Sequence, residues 1–386
     1  MKVWYFTECP YPHLPPDDEY DSIRVTMPNR EYDPKIGADL YHRYLDEWML
    51  ADEEGLDIMV NEHHQTPSCV NSAAPVILGI LARQTKRARL LILGNPIANR
   101  NQPVRVAEEM AMIDVISRGR LECGFVKSVP YEVASGNSNP VRMNERMWEA
   151  HDLILKAWTT HDGPFPFEGR FYQHRMVNIW PRPFQQPHPP VWVASLSPFG
   201  AADVAKRGHV VATFLTGYAQ TPKVFEGYRQ GWQKAGRPGV PGLDRLAYSG
   251  LFYTGDTDAE GRAGAQKLLW YLATNKVPTH FKNPPGYNHV MANVAAMRSG
   301  RVGSRHAGEV PDLDEQIEKG TMFCGNPDTV FKQMKRLYDS VGGFGHFLGM
   351  GQAGLMTGAE ASKGIRLFAR EVYPRLKELK IEQKAA

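Results

Sequence analysis

Short apolar runs alternate with amphipathic stretches along almost the whole chain. Continuous apolar runs bounded by turn residues mark strands buried on both faces of a parallel sheet. Residues 2–7, 56–61, 89–93, 121–126, 191–195, 210–214, 246–253 and 344–348 read this way. Helical spacing fills the gaps, over 38–51, 71–84, 143–158, 200–207, 224–235, 258–272, 326–338 and 361–379. The clearest strand–helix–strand signal is 101–125. There Pro103 suits a first helical turn, Val104, Ala107, Met110, Ile113, Val115 and Ile116 form a broad apolar stripe, and Arg118-Gly119 stops the helix. Eight strand–helix units predict an α/β fold, a (β/α)8 TIM barrel with loop insertions rather than an open doubly wound sheet. The expected organisation is one barrel domain over 1–386, with insertions at about 9–35, 160–189 and 275–315. The first is rich in Pro, Asp and Tyr, the second is read as irregular, and the third breaks the strand–helix rhythm as a lid would.

Composition narrows the classes. The 386 residues are 42% hydrophobic and 23% charged, as in a globular protein with a sizeable core. Lys and Arg number 45 against 42 Asp and Glu, a net +3 with no basic concentration, so no nucleic-acid or membrane partner is expected. The four cysteines, at 9, 69, 123 and 324, have no paired spacing, which fits neither a disulfide framework nor a zinc site. The N-terminus lacks a signal-peptide core before Glu8, and no apolar run approaches the ~18 residues of a membrane span, so a cytoplasmic protein is expected.

The residues that carry chemistry sit at strand ends. Asn61-Glu62-His63-His64 follows the second strand, at the end of a parallel sheet where reaction centres are built. Successive strand side chains point to opposite faces, so His63 and His64 are expected to do different jobs. Adjacent histidines cannot readily chelate one ion, and the helical zinc motif of two histidines at i, i+4 with a glutamate between them is absent, so no metal is expected. The plainer alternative is that the pair caps a strand and satisfies loop backbone.

Gly94-Asn95-Pro96 after the third strand reads either as a plain turn or as backbone brought close to a flat ligand. The fifth strand runs through Ser195, Leu196, Ser197, Pro198, Phe199 and Gly200 into a helix, which makes an anion-binding start for phosphate. Ser197 as a simple N-cap is the other reading. Lys127, just past the fourth strand, would add a cation from the same rim, unless it is an ordinary surface lysine. Near the end, Gly349-Met350-Gly351-Gln352-Ala353-Gly354 matches a dinucleotide-binding glycine pattern. No second strand follows, so it reads as a flexible loop at the barrel mouth.

Taken together, residues 61–64, 101–125 and 190–208 resemble, in order and at matching spacing, the bacterial luciferase-like family of flavin-dependent monooxygenases. The similarity extends over nearly the whole chain. The resemblance implies a TIM barrel that binds reduced FMN at its carboxyl face and activates O2 as a flavin C4a-peroxide. It places His63 near the reactive flavin edge as the catalytic residue. It places Asn95 beside a non-proline cis peptide under the flavin ring. Lys127 stands where the family usually has a phosphate-binding arginine, which keeps the charge and loses the bidentate fork. Ser195, Ser197, Phe199 and Gly200 are the expected cofactor contacts at the phosphate turn. Luciferase itself has a reactive cysteine where this chain has Val126, so light emission loses support while flavin chemistry does not.

The expected function is therefore oxygenation of a small organic substrate, using O2 and reduced FMN from a separate reductase, in a chain that forms homo-oligomers. The alternatives are a dehydrogenase or reductase of the same fold using a reduced deazaflavin, and a non-catalytic flavin-binding protein.

Overall fold

The computed structural model describes residues 1–16, 19–288, 290, 293–294 and 311–380. In chain order its strands are β1 (Lys2–Thr7), β2 (Asp57–Val60), β3 (Leu90–Asn95), β4 (Leu121–Phe125), β5 (Phe165–Glu168), β6 (Gln173–Val177), β7 (Val191–Ala194), β8 (Val210–Phe214), β9 (Leu246–Thr254), β10 (Met322–Gly325) and β11 (His346–Gln352). The helices up to residue 273 are α1 (Pro34–Glu53), α2 (Ala74–Gln84), α3 (Pro103–Ile116), the short α4 (Glu132–Ser135), α5 (Met143–Thr159), α6 (Pro198–Arg207), α7 (Gly217–Lys234) and α8 (Asp258–Ala273).

The sheet runs β9-β11-β1-β2-β3-β4-β7-β8, and β8 pairs back onto β9, so eight parallel strands close into the expected barrel. β9 closes the ring. One edge pairs with β11, from Ala247–His346 to Leu251–Met350. The other pairs first with β8, up to Ser249–Phe214, and then with β10, from Leu251–Met322 to Thr254–Gly325. The short β10 therefore lies beside the end of β9, outside the ring of eight.

Alternation along the strands sorts side chains into two cores. Val3, Tyr5, Ile58, Val60, Leu90 and Ile92 pack outward under the helices. Trp4, Phe6, Met59, Leu91, Leu93 and Trp192 belong to a second cluster. Trp4 and Trp192 stand on non-adjacent strands, yet their rings meet edge to face at 5.4 Å, so that cluster fills the barrel interior. The buried ring hydrogens are satisfied there: Trp4 Nε1 donates to His346 Nδ1 at 3.1 Å and Trp192 Nε1 donates to Glu122. Burial pushes His346 down to about 4, which keeps it a neutral acceptor for Trp4.

Four local expectations need correction. The stretch read as irregular at 160–189 contains the antiparallel β5–β6 hairpin, whose exposed and half-buried side chains alternate too weakly to read as a strand pair. β10 was missing from the expected strand set because its four residues, Met-Phe-Cys-Gly, fall below the length at which periodicity speaks. The final helix is interrupted by a π-helical turn at Phe368–Val372. The glycine-rich motif is not a loop over 349–352, since β11 runs through Gln352. A Cβ at Gly349 would stand 2.7 Å from the Phe252 ring and one at Gly351 2.7 Å from the Tyr5 ring, so these glycines make room for aromatic packing.

The expected lid, 275–315, lies outside the described residues over most of 289–310. Its described part includes the helical turns Thr279–Lys282 and Leu313–Lys319. No helix among the described residues is long and apolar enough to cross a membrane.

Trp192 is fully buried on the barrel axis. Its replacement by alanine is expected to cost ~3–5 kcal/mol, as large-to-small changes in a packed core do. Denaturant unfolding of the variant checks this, and a loss under ~1 kcal/mol would show that the interior is not the packed plug described.

Candidate functional site

Register decides which residues meet at the carboxyl rim. Val60 is level with Ile92, Ile92 with Cys123, and Phe125 with Val193. β3 takes one extra residue against β4 between Ile92 and Asn95, and the non-proline cis peptide Leu93–Gly94 lies in that irregularity. Asn95 is thereby level with Phe125, and its carbonyl accepts from Val126 N at 3.0 Å. Gly94 has no room for a side chain, because a Cβ would stand 2.1 Å from Val126 Cγ1. The rim thus places residues 61–64, Asn95, Lys127 and Ser195–Gly200 on four neighbouring strand ends.

Asn95 is completely buried, and neither its Oδ1 nor its Nδ2 has a hydrogen-bond partner among the described residues. A buried amide left unpaired on both atoms costs free energy, which is the signature of a group awaiting a ligand.

His63 and His64 diverge as alternation requires. His63 Nδ1 lies 3.0 Å from Glu132 Oε1, while its Nε2 is 3.8 Å from Glu8 Oε2, too far for a hydrogen bond. His64 turns back to Glu62 instead, with its Nε2 at 3.0 Å from Oε1. Glu62 is a structural hub. It also accepts from Arg100 and from the backbone N–H of Ala74 at 2.9 Å. That last bond caps α2, whose own N-cap position, Ala73, has no side-chain oxygen to offer.

Glu132 and Glu8 are the carboxylates that sequence reasoning missed. Glu132 opens the short α4 and is 1% exposed; besides His63 it accepts from His64 N at 2.9 Å and Ser128 Oγ at 2.9 Å. Glu8, 2% exposed, follows β1 and accepts from Asn61 Nδ2 at 2.7 Å. Neither stands in a motif with the histidines. A distance of 69 residues separates Glu132 from His63, and only the fold joins them.

The electrostatics follow. Burial alone would discharge His63, but the Glu132 charge and hydrogen bond, with Glu8 behind them, raise its pKa above the ordinary 6.5. Burial likewise opposes the Glu132 charge, but His63, His64 N–H and Ser128 outweigh it and hold the carboxyl below its ordinary value. The neighbours of His63 therefore favour its protonated ring, which is clamped at Nδ1 while Nε2 is free of any hydrogen bond among the described residues. It can hold a proton and offer it from Nε2.

Two more side chains complete this corner. Arg24, from the loop after β1, donates to Tyr131 Oη at 3.3 Å, to the Tyr271 carbonyl at 3.3 Å and to Thr274 Oγ1 at 3.2 Å. Tyr131 Oη is 3.5 Å from His63 Nδ1. Arg24, His64, Tyr131 and Phe281 line a cleft of about 270 Å³ that leads into this network.

The helix start after the strand is formed, with a serine at its cap. Ser197 is the N-cap of α6, and its Oγ accepts from Gly200 N at 3.1 Å. Ser195 Oγ donates to the Ser197 carbonyl at 3.1 Å, and a Cβ at Gly200 would come within 2.4 Å of that oxygen. Phe199, 75% exposed, supplies a first-turn N–H that the helix cannot pair internally.

Lys127 departs from the expectation. Its ammonium does not reach the turn; it sits 3.7 Å from the centre of the Tyr287 ring and donates to the Tyr287 carbonyl at 2.9 Å. The insertion supplies this partner, which no local pattern around Lys127 signals. Burial lowers the Lys127 pKa to about 8. Among the described residues no three His, Cys, Asp or Glu side chains converge as metal ligands do.

Comparison with known proteins agrees with this geometry. A family model described as luciferase-like monooxygenase matches residues 26–343. The oxygenase component of a flavin-dependent trigonelline monooxygenase from Acinetobacter baylyi is 31% identical over 181 residues, 46% of this chain and 49% of that protein. The chain thus spans about half the length of this curated relative. The oxygenating constituent of 3,6-diketocamphane monooxygenase from Pseudomonas putida, solved in complex with FMN, superposes with a TM-score of 0.73 over 99% of both chains at 17% identity. An F420-dependent secondary alcohol dehydrogenase superposes at 0.66, covering 97% of this chain and 99% of its own, at 16% identity. At these identities the two structures establish a shared fold.

The His63–Glu132 pair predicts a pH dependence. Because the folded pKa of His63 is raised, its contribution is complete below about 6.5 and fades as pH rises through the folded value. Because that of Glu132 is lowered, its contribution holds above about 4.5 and fades as pH falls through its folded value. Glu132→Gln should cost about 2 kcal/mol near pH 6, with the difference shrinking at higher pH. The His63 ring should titrate at lower pH by NMR in this variant. An unchanged titration curve would show that the two groups are not coupled.

Proposed function

Since the chain belongs to the luciferase-like monooxygenase family, we propose that it is the oxygenase component of a two-component system. It takes reduced FMN from a separate reductase and uses O2 to place one oxygen in a small organic substrate. The observation that carries this reading is Asn95, fully buried beside the cis Leu93–Gly94 peptide with both amide atoms unpaired. A flat heteroaromatic ring with donors and acceptors along its edge is what such an amide would pair with.

The remaining residues fit the same ligand. The hydroxyls of Ser195 and Ser197 and the N–H of Phe199, with Gly200 keeping the approach open, form the helix start that would hold the phosphate. Lys127, one strand over, supplies the cation once it exchanges Tyr287 for that phosphate. Reduced FMN, when bound, supplies the electrons that let O2 react with an organic molecule. His63 then keeps a proton at Nε2 over the site, clamped through Nδ1 by Glu132. Tyr287 and the loop that carries Arg24 reach the rim through Lys127 and Tyr131, where they would help to exclude water.

The dehydrogenase reading, with a reduced deazaflavin in the same rim, draws support from the F420-dependent neighbour. Titrating the protein with reduced FMN and with the reduced deazaflavin separates the two. Tight FMN binding with oxygen-dependent product formation is expected, and turnover without oxygen on the deazaflavin alone would reject the oxygenase reading.

Two substitutions test the parts. Ser197→Ala should weaken FMN by ~5-fold or more while riboflavin loses less, because only FMN has the phosphate. Equal losses would mean that the serine acts only as a helix cap. His63→Ala should leave FMN affinity within about tenfold, while turnover falls ~100-fold or more. Undiminished turnover would exclude a catalytic His63.

A further inference from the structure

We propose that Arg24 is the substrate-recognition cation of this site, and that the substrate is a small carboxylate whose anionic group docks on its guanidinium in the cleft beside His64 and Tyr131. The inference rests on the oxygenase reading above and specifies the substrate class for it.

Arg24 is unusual among the buried charges of the rim. It is 3% exposed, yet it makes no ion pair among the described residues, and its Nε is buried with no hydrogen-bond partner. Its three bonds go to a phenol, a carbonyl and a hydroxyl, all neutral. The neighbouring buried charges are each directly paired or bonded: Glu132 to His63, Glu62 to His64 and Arg100, and Glu8 to Asn61. Glu8 favours the guanidinium charge from a distance, but among the described residues no carboxylate contacts Arg24 and its Nε–H is unused, so an anion docked there would complete its pairing.

The surroundings define that anion. Arg24 lines the cleft of about 270 Å³, and Val25, Ala134 and Phe281 give it apolar walls. That volume falls just below the ~300–1,000 Å³ of drug-sized ligand sites and suits a single ring or a short chain. The guanidinium itself is flanked by the Tyr271 ring at 4.8 Å and the Tyr131 ring at 5.9 Å, which confines its approach to the plane of its fork. A carboxylate can take the unused Nε–H with one oxygen, and its second oxygen can compete with the Thr274 hydroxyl for Nη2, which gives the bidentate geometry that suits a guanidinium. The arrangement also relates recognition to chemistry, since Tyr131 contacts both Arg24 and His63. A substrate anchored by its carboxylate on Arg24 would lie beside Tyr131, the residue that also approaches His63.

Binding measured without turnover tests this separately from the oxygenase reading. Isothermal titration of the purified protein with benzoate and with its neutral counterpart benzamide is expected to show at least a ~10-fold preference for benzoate, the scale of a charge-assisted hydrogen bond. Arg24→Met should abolish the preference, and Arg24→Lys should retain part of it, keeping the charge without the fork. FMN affinity should stay within ~3-fold in both, as expected for a residue off the cofactor cradle. Equal binding of the two ligands by the wild type, no binding of benzoate, or a preference that survives Arg24→Met would overturn the proposal. Should Arg24→Met not fold, an undiminished preference in Arg24→Lys overturns it instead. Benzoate binding without any FMN binding would reject the oxygenase reading and leave the carboxylate subsite standing; FMN binding without benzoate selectivity would do the reverse.

Discussion

The ring closes on β9, and everything at the rim depends on that closure. β9 carries nine consecutive buried residues and pairs on both edges, with β11 on one side and with β8 then β10 on the other. Because all eight barrel strands run the same way, their carboxyl ends open onto one face. Loops from β1, β2, β3, β4 and β7 therefore deliver Glu8, His63, Asn95, Lys127 and Ser195 to a common mouth. The interior below is plugged by Trp4, Trp192 and their polar partners, which leaves the mouth as the place where a ligand can enter.

The rim also solves an electrostatic problem. Three carboxylates, Glu8, Glu62 and Glu132, are buried at the rim with His63 and Arg24, and burying any such charge alone is costly. Glu132 and His63 solve it by pairing, each holding the other in its charged form. Glu8 uses the Asn61 amide. Arg24 is the exception, with no carboxylate in contact among the described residues, and Asn95 is unpaired on both amide atoms.

The barrel was legible in the chain because burial on both faces of a parallel strand leaves a continuous apolar run, and eight such runs alternate with amphipathic helices. The strand-end chemistry was legible for the same reason: a polar residue that ends such a run, such as His63 or Asn95, is conspicuous. Ser197 was readable as a helix start, since N-capping is a local interaction of three residues. The β5–β6 hairpin and β10 were not readable. Short or half-exposed strands carry too little periodicity, and their pairing partners are chosen by the sheet they join.

Local patterning by itself thus determined the barrel, the carboxyl-face location of the site and the divergence of His63 from His64. Those follow from periodicity, which acts over a few residues. Only the tertiary structure decided which charges meet. Glu132 reaches His63 across 69 positions and Arg24 lies against Tyr271 across 247, distances over which the chain carries no pattern. Lys127 turned to Tyr287 for the same reason, its partner arriving from an insertion 160 residues away. Such pairings depend on strand order and loop path, and these are settled only when the whole ring has closed.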